Sequence, residues 1–159
     1  MLRKLMATQP RVSLLVLRLL LGGVFFPHGA QKVFGWWGGF GLSGTIAGFT
    51  QHMGIPLVFA WLAIAAEFLG SLGLIVGLLT RVAAFGIAVN MLVAVVMVHM
   101  KNGFFMNWMG NQKGEGFEYH LLAIAAALVL MIDGAGVASL DRALTAGREG
   151  IAPARAAVL

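Results

Sequence analysis

The run Pro56–Leu79, PLVFAWLAIAAEFLGSLGLIVGLL, restricts the fold more than any other part of the chain. Its 24 residues are apolar or small, with one exception at the middle, Glu67. About 20 such residues at 1.5 Å each cross the hydrocarbon core of a bilayer, so the run predicts a membrane-spanning helix. An ionised carboxylate near the bilayer centre costs on the order of 3 kcal/mol or more. Glu67 therefore needs a partner, a proton or a water-filled cavity, and other spans have to provide it.

The rest of the chain is built of similar material. Its 159 residues are 60% hydrophobic and 11% charged, where soluble domains average roughly 25% charged. Mean hydropathy is +0.90. The lipid bilayer is the expected partner. A net charge of +5 and a pI near 10.5 raise the question of nucleic acid. The basic residues instead flank apolar runs, where they act as topology signals, and no nucleic-acid partner is expected. The chain has no cysteine, which excludes thiol–disulfide exchange, thiolate metal sites and cysteine-ligated clusters as its own chemistry. Arg3-Lys4 and the following apolar run resemble a signal peptide, but no A-x-A-like site follows. A retained first span is expected.

Four spans are predicted, at about 12–29, 56–79, 82–100 and 117–138, in a single integral membrane domain followed by a basic tail, 139–159, that frays at its end. The expected fold is all-α, a transmembrane four-helix bundle. A short interfacial helix, Leu42 to Met53, is expected in the first outward loop, since Ile46, Phe49 and Met53 recur at helical spacing. Pro27 predicts a kink or end in span one. Only Thr80-Arg81 separates spans two and three, which predicts a tight hairpin. Seven basic residues (Arg3, Lys4, Arg11, Arg81, Arg142, Arg148, Arg155) lie on the side of the termini and the Arg81 turn, against three (Lys32, Lys101, Lys113) in the long aromatic loops. The positive-inside rule then places both termini in the cytoplasm.

Helical rise assigns each polar group a depth above the cytoplasmic ends. Arg18 falls at about 10 Å, Asn90 at about 13 Å and Glu67 at about 18 Å. His28, His99 and His120 share a layer at roughly 25–28 Å, with Gln31, Lys32 and Glu118 just above it. Glu67 reads either as a proton-carrying or ligand-binding carboxylate or as half of a buried ion pair with Arg18. The polar layer of His28, Lys32, Asn90, His99, Glu118 and His120 can hydrogen-bond a quinone headgroup, or be ordinary interfacial histidines bonded to backbone and water. Haem or a metal is a weaker reading, because the histidines lack tight ligand spacing. Phase is an obstacle. Asn90 and His99 are about half a turn apart, as are Glu118 and His120, so a bend or broken turn is needed for all to converge.

Several short motifs occur in a definite order: an arginine in span one, then H-G-A-Q-K-V-F-G-W, then M-G-I-P opening span two, with Glu67 at its centre. G-L-L-T-R-V-A-A follows, then a span ending at His99 before G-F-F, and a closing D-G-A-G-V-A-S-L-D-R. The series resembles the DoxX family of small four-span bacterial membrane proteins, over about Leu14 to Arg142. The resemblance implies a multi-pass protein of the bacterial inner membrane. It points to Arg18, Lys32, Gly54, Pro56, Glu67, Gly77, Arg81, His99, Gly136, Ser139 and Asp141. Family closings often carry proline where this chain has Ala135, a departure bearing on the helix end more than on chemistry. Family members are linked to thiosulfate:quinone oxidoreductase subunits and to membrane partners of oxidative-stress enzymes.

Three functions follow as expectations. The first is a quinone-linked membrane subunit of an oxidoreductase system, with Glu67 and Arg18 handling protons and a partner supplying electrons. The second is a non-enzymatic scaffold that recruits a soluble redox enzyme. The third is a small proton-coupled transporter, for which four spans require a homo-oligomer.

Overall fold

A computed structural model describes residues 2–146, and every regular element among them is helical. A short helix α1 (Leu2–Met6) precedes α2 (Val12–Phe34), and α3 (Gly41–Ala47) lies in the loop that follows. Next come α4 (Leu57–Val76), α5 (Thr80–Ala94), α6 (Glu118–Asp133) and α7 (Leu140–Ala146). Helices α2, α4, α5 and α6 close a four-helix bundle, each packing on the next, with α6 returning to α2. Three helical segments are long and apolar enough to cross a membrane: Val12–Phe34, Leu57–Val76 and Thr80–Asn102. The fourth bundle member, α6, has 16 residues, about 24 Å of rise.

The core is a column of Leu14, Leu21, Phe25, Leu74, Ile87, Met91 and Leu130, with Ala84, Ala123 and Ala127 where α5 and α6 come close. Long apolar side chains such as Leu20, Leu62, Leu92 and Leu122 point outward, as lipid-facing surfaces require. Glycine decides how near α2 and α4 approach. A Cβ at Gly29 would sit 2.6 Å from Phe68 Cα, and one at Gly22 would sit 2.9 Å from the Ser71 carbonyl oxygen.

Helix ends depart from expectation in ways that residue chemistry explains. Helix α2 runs through Pro27 to Phe34 instead of ending near Gly29. The ring of Pro27 meets the carbonyl four residues back, at Gly23, where the surroundings are open and the chain can give. Helix α4 stops at Val76, with Gly77 at φ 69°. The Gly77 and Leu78 amides bond back to Leu74 and Gly73 at 3.2 and 2.8 Å, a Schellman ending. Helix α5 starts at Thr80, two residues before the predicted span, and continues through a wide π-type turn (Val95–His99) and a final short turn (Met100–Asn102). Helix α6 stops at Asp133, short of 138, because Gly134 turns away at φ 85° and the next carbonyls are needed elsewhere. In the first outward loop the short helix occupies Gly41–Ala47 and widens into a π-type turn over Gly48–His52, close to the expected stretch.

Those carbonyls are claimed by Arg18, which is 1% exposed. Its guanidinium donates to Ala135 (3.0 Å), Val137 (3.5 Å) and Ala138 (2.6 Å), and to Leu74 (2.9 Å) and Ile75 (2.5 Å) in the last turn of α4. A helix C-terminus leaves carbonyls unsatisfied and partly negative, which suits a cation. Beside it, Asp141 is 1% exposed. Its carboxylate accepts the amides of Leu79 (2.7 Å) and Thr80 (2.9 Å), capping the start of α5. Arg81 reaches the carbonyls of Ala7 and Met131, tying α6 to the segment before α2. The stretch 139–146 is thus part of the bundle and not a loose tail. The rest of the predicted tail, with Arg148 and Arg155, lies outside the described residues.

Two contrasts follow. Gly77→Ala should lower stability by more than about 1 kcal/mol, since φ is left-handed and the new Cβ would lie 2.5 Å from that of Ser139. Gly23→Ala, in open space within a helix, should raise stability by about 0.5–1 kcal/mol in the same micellar unfolding assay. Asp141→Ala should cost about 2–3 kcal/mol through two orphaned amides and a lost countercharge.

Candidate functional site

Glu67 lies on the inner face of α4, its side chain 6% exposed. Its partner is Lys32, whose Nζ stands 2.5 Å from Glu67 Oε2. The expected pairing of Glu67 with Arg18 does not occur. The reason lies in how side chains leave a helix: each Cα–Cβ bond tilts toward the helix N-terminus. Arg18, on α2, therefore leans toward the end that holds α1 and α7. Glu67, on the antiparallel α4, leans the opposite way. Lys32 sits about five and a half turns along α2 from that end and leans down toward Glu67, over the gap left by Gly29. The lysine side chain is 26% exposed, so the pair is sheltered from solvent on the carboxylate side and only partly on the ammonium side. No hydrogen bond of good geometry reaches Oε2 from any other group among the described residues.

The histidines divide. His99 and His120 meet, with ring centroids 4.0 Å apart. The π-type turn Val95–His99 supplies the change of phase that a regular helix lacked, rotating His99 toward α6. His99 Nδ1 lies 2.9 Å from the Glu115 carbonyl oxygen. A carbonyl only accepts, so Nδ1 carries the proton and Nε2 is left as an acceptor. His120 is 6% exposed, and its Nδ1 is buried without a partner. His28 is exposed on α2, its ring 6.3 Å from that of Phe25. Asn90 is half-buried on α5, and its side chain makes no hydrogen bond among the described residues. Glu118 turns out of the layer: its Oε1 accepts the Met106 amide (2.9 Å) and Trp108 Nε1 (3.3 Å). With Glu115, which accepts the Asn107 amide at 2.7 Å, it holds the aromatic loop over the histidine pair.

Sequence reasoning missed Tyr119, the single tyrosine of the chain. Its ring stacks on Phe25 at 6.4 Å and meets His120 at 5.7 Å. The hydroxyl is buried without a partner. A usable signal existed: position 119 is one of two polar aromatic positions opening the last span, beside a histidine already singled out.

The site is thus a polar cluster at one end of the bundle, the histidine end. It comprises the Lys32–Glu67 ion pair, Tyr119, His120 and His99. Three buried polar atoms there, Glu67 Oε2, Tyr119 Oη and His120 Nδ1, have capacity to spare. Buried polar groups are normally satisfied, so such a cluster marks a place for a ligand or water. Two surface clefts lie elsewhere. One, of about 260 Å³, is lined by Arg3, Ala7, Thr8, Arg142, Thr145 and Ala146. The other, of about 480 Å³, is lined by Lys101, Asn102 and Lys113. Neither includes a residue of the buried polar cluster.

A Bacillus subtilis (strain 168) protein named "Putative oxidoreductase CatD" is 32% identical over 119 residues, covering 75% of this chain and 78% of that protein. An uncharacterized protein of Haemophilus influenzae is 31% identical over 134 residues, with 82% of each chain covered. No solved structure gives a significant match. The family model named DoxX matches residues 13–100, more than half of the chain, so Tyr119 and His120 lie beyond the matched part. The chain belongs to the DoxX family.

Proposed function

We propose that this chain is a quinone-linked membrane subunit of an oxidoreductase system, holding the headgroup among Lys32, Glu67, Tyr119, His120 and His99. The observation that carries the reading is the pair of unpartnered buried polar atoms, Tyr119 Oη and His120 Nδ1, at the same end of the bundle as a largely buried ion pair. A quinone headgroup is a flat apolar ring with two carbonyl oxygens that need donors. The cluster offers donors at Tyr119 Oη, at Lys32 Nζ and, in one tautomer, at His120 Nδ1, next to the aromatic face of Phe25. The donor set therefore fits the group. The name of the Bacillus subtilis relative supports oxidoreductase chemistry in general.

A bound quinone supplies two-electron, two-proton acceptor chemistry. The chain's own residues bind, orient and move protons. Tyr119 donates from Oη, while His99, with Nδ1 committed to Glu115, accepts at Nε2. Lys32 pairs with Glu67 at 2.5 Å, and Oε2 is open to a proton when the lysine is drawn to a ligand oxygen. With no cysteine in the chain, thiol and iron–sulfur carriers are not its own, and electrons come from a partner oxidoreductase. The excess of basic residues on the Arg18 side supports placing that end in the cytoplasm of a bacterial inner membrane.

A short-chain ubiquinone analogue titrated into the protein in nanodiscs tests this. Tyr119→Phe should weaken binding by about five- to tenfold, the loss of one hydrogen bond. Unchanged affinity in Tyr119→Phe, His99→Ala and Glu67→Gln alike removes the quinone site. Crosslinking to a soluble oxidoreductase that survives Glu67→Gln would then favour the scaffold reading. Lys32→Met alone should destabilise the protein by about 3 kcal/mol, because it strands a buried carboxylate. The double change Lys32→Met/Glu67→Gln should recover most of that loss in a double-mutant cycle.

A further inference from the structure

We propose that water and protons reach the Lys32–Glu67 pair from the histidine end alone, along a path past His99, His120 and Tyr119 that stops at Glu67. The inference rests on the polar cluster described above but not on a quinone occupying it.

The opposite end is closed by construction. Arg18 fills it and has its guanidinium committed to five carbonyls. Between that knot and Glu67 lies a layer of Leu21, Phe25, Leu74, Ala127 and Leu130, each buried. The one hydroxyl in the layer, Ser71, spends its proton on the Phe68 carbonyl at 2.8 Å. A further buried unpartnered oxygen, Thr80 Oγ1, starts α5 at the arginine end, on the far side of the apolar layer. Apart from Asn90, half-buried on α5, that layer gives water no polar foothold.

The histidine end has a foothold at every step. His99 is half-buried beneath the aromatic loop, with Nε2 free to accept a proton while Nδ1 keeps its bond to Glu115. Its ring lies 4.0 Å from that of His120, whose unpartnered Nδ1 is buried. Tyr119 follows at 5.7 Å, its hydroxyl unpartnered, and its ring stacks on Phe25 at 6.4 Å, one turn below Gly29, where α2 lies against Phe68, the chain neighbour of Glu67. Other titratable groups near the path are spoken for or outside it: Glu115 and Glu118 hold loop amides, and His28 faces outward from α2. A proton taken up at His99 Nε2 passes inward by water or ring exchange and ends on the Glu67 carboxylate. The bundle is therefore a proton well with one mouth and not a transmembrane carrier.

The absence of cysteine makes a direct test possible. Single cysteines are introduced in whole cells and in inverted vesicles, with Trp108→Cys and Arg142→Cys reporting the two faces. A permanently charged methanethiosulfonate should modify His120→Cys from the Trp108 face more than about tenfold faster than from the other. Ala127→Cys, within the apolar layer, should stay unmodified from both. Modification of His120→Cys or Ala127→Cys from the Arg142 face overturns the proposal. A second readout avoids any cysteine at the site. The infrared carboxyl band of Glu67, identified by its loss in Glu67→Gln, should follow a pH jump on the Trp108 face. His99→Phe should slow that response on the order of tenfold or more. No response from that face, or a response to a jump on the Arg142 face, also overturns it. Neither readout involves quinone, so failure here is separate from failure of the quinone site.

Discussion

A carboxylate in the middle of an apolar helix is tolerated only if its charge is answered at short range, and Lys32 answers it at 2.5 Å. The contact follows from the direction in which side chains leave a helix: two antiparallel helices send their side chains toward their own N-termini, so a lysine above and a glutamate below converge. Gly29 lets the helices close enough for the lysine stem to cross. Tyr119, His120 and the re-phased His99 then complete the polar end of a bundle that is otherwise filled by leucine, isoleucine and alanine.

The residues to which family likeness pointed fall into two groups with different physics. Arg18, Gly77, Arg81, Gly136, Ser139 and Asp141 lie at one end and build structure. Ser139 Oγ bonds the Gly136 carbonyl at 3.0 Å, and the Gly136 amide bonds Thr8 Oγ1 at 2.6 Å. Gly54, at φ 67°, and Pro56 shape the turn into α4. Lys32, Glu67 and His99 lie at the other end, where unpartnered atoms gather. A pattern of shared residues therefore mixes a fastening with a site, and only contacts separate them.

Much of the fold was legible because its signals are long. Apolar runs gave the three long spans and the position of α6, and basic flanks marked one end. The pairing of Glu67 was not legible from depth, since depth ignores the direction in which a side chain leaves its helix. Arg18 and Glu67 are close enough in depth for two long side chains to meet, but they lean in opposite directions and do not. The convergence of His99 on His120 depended on a π-type turn that no local residue preference announces. Tyr119 was overlooked because a lone tyrosine at a span end also fits an interfacial anchor.

The knot around Arg18 has a consequence for how the molecule is made. Its acceptor carbonyls lie 56 to 120 residues downstream in the chain. At a synthesis rate of about 5–20 residues per second, roughly 6–24 s separate emergence of the arginine from emergence of its last acceptors. Until Leu74 and Ile75 follow it the first helix carries an uncompensated cation, and until Ala138 follows the cation is only partly answered. Assembly is therefore completed by the carboxy-terminal part of the chain, and a ribosome that stops before it leaves an intermediate marked by a partly answered charge that quality-control proteases can recognise.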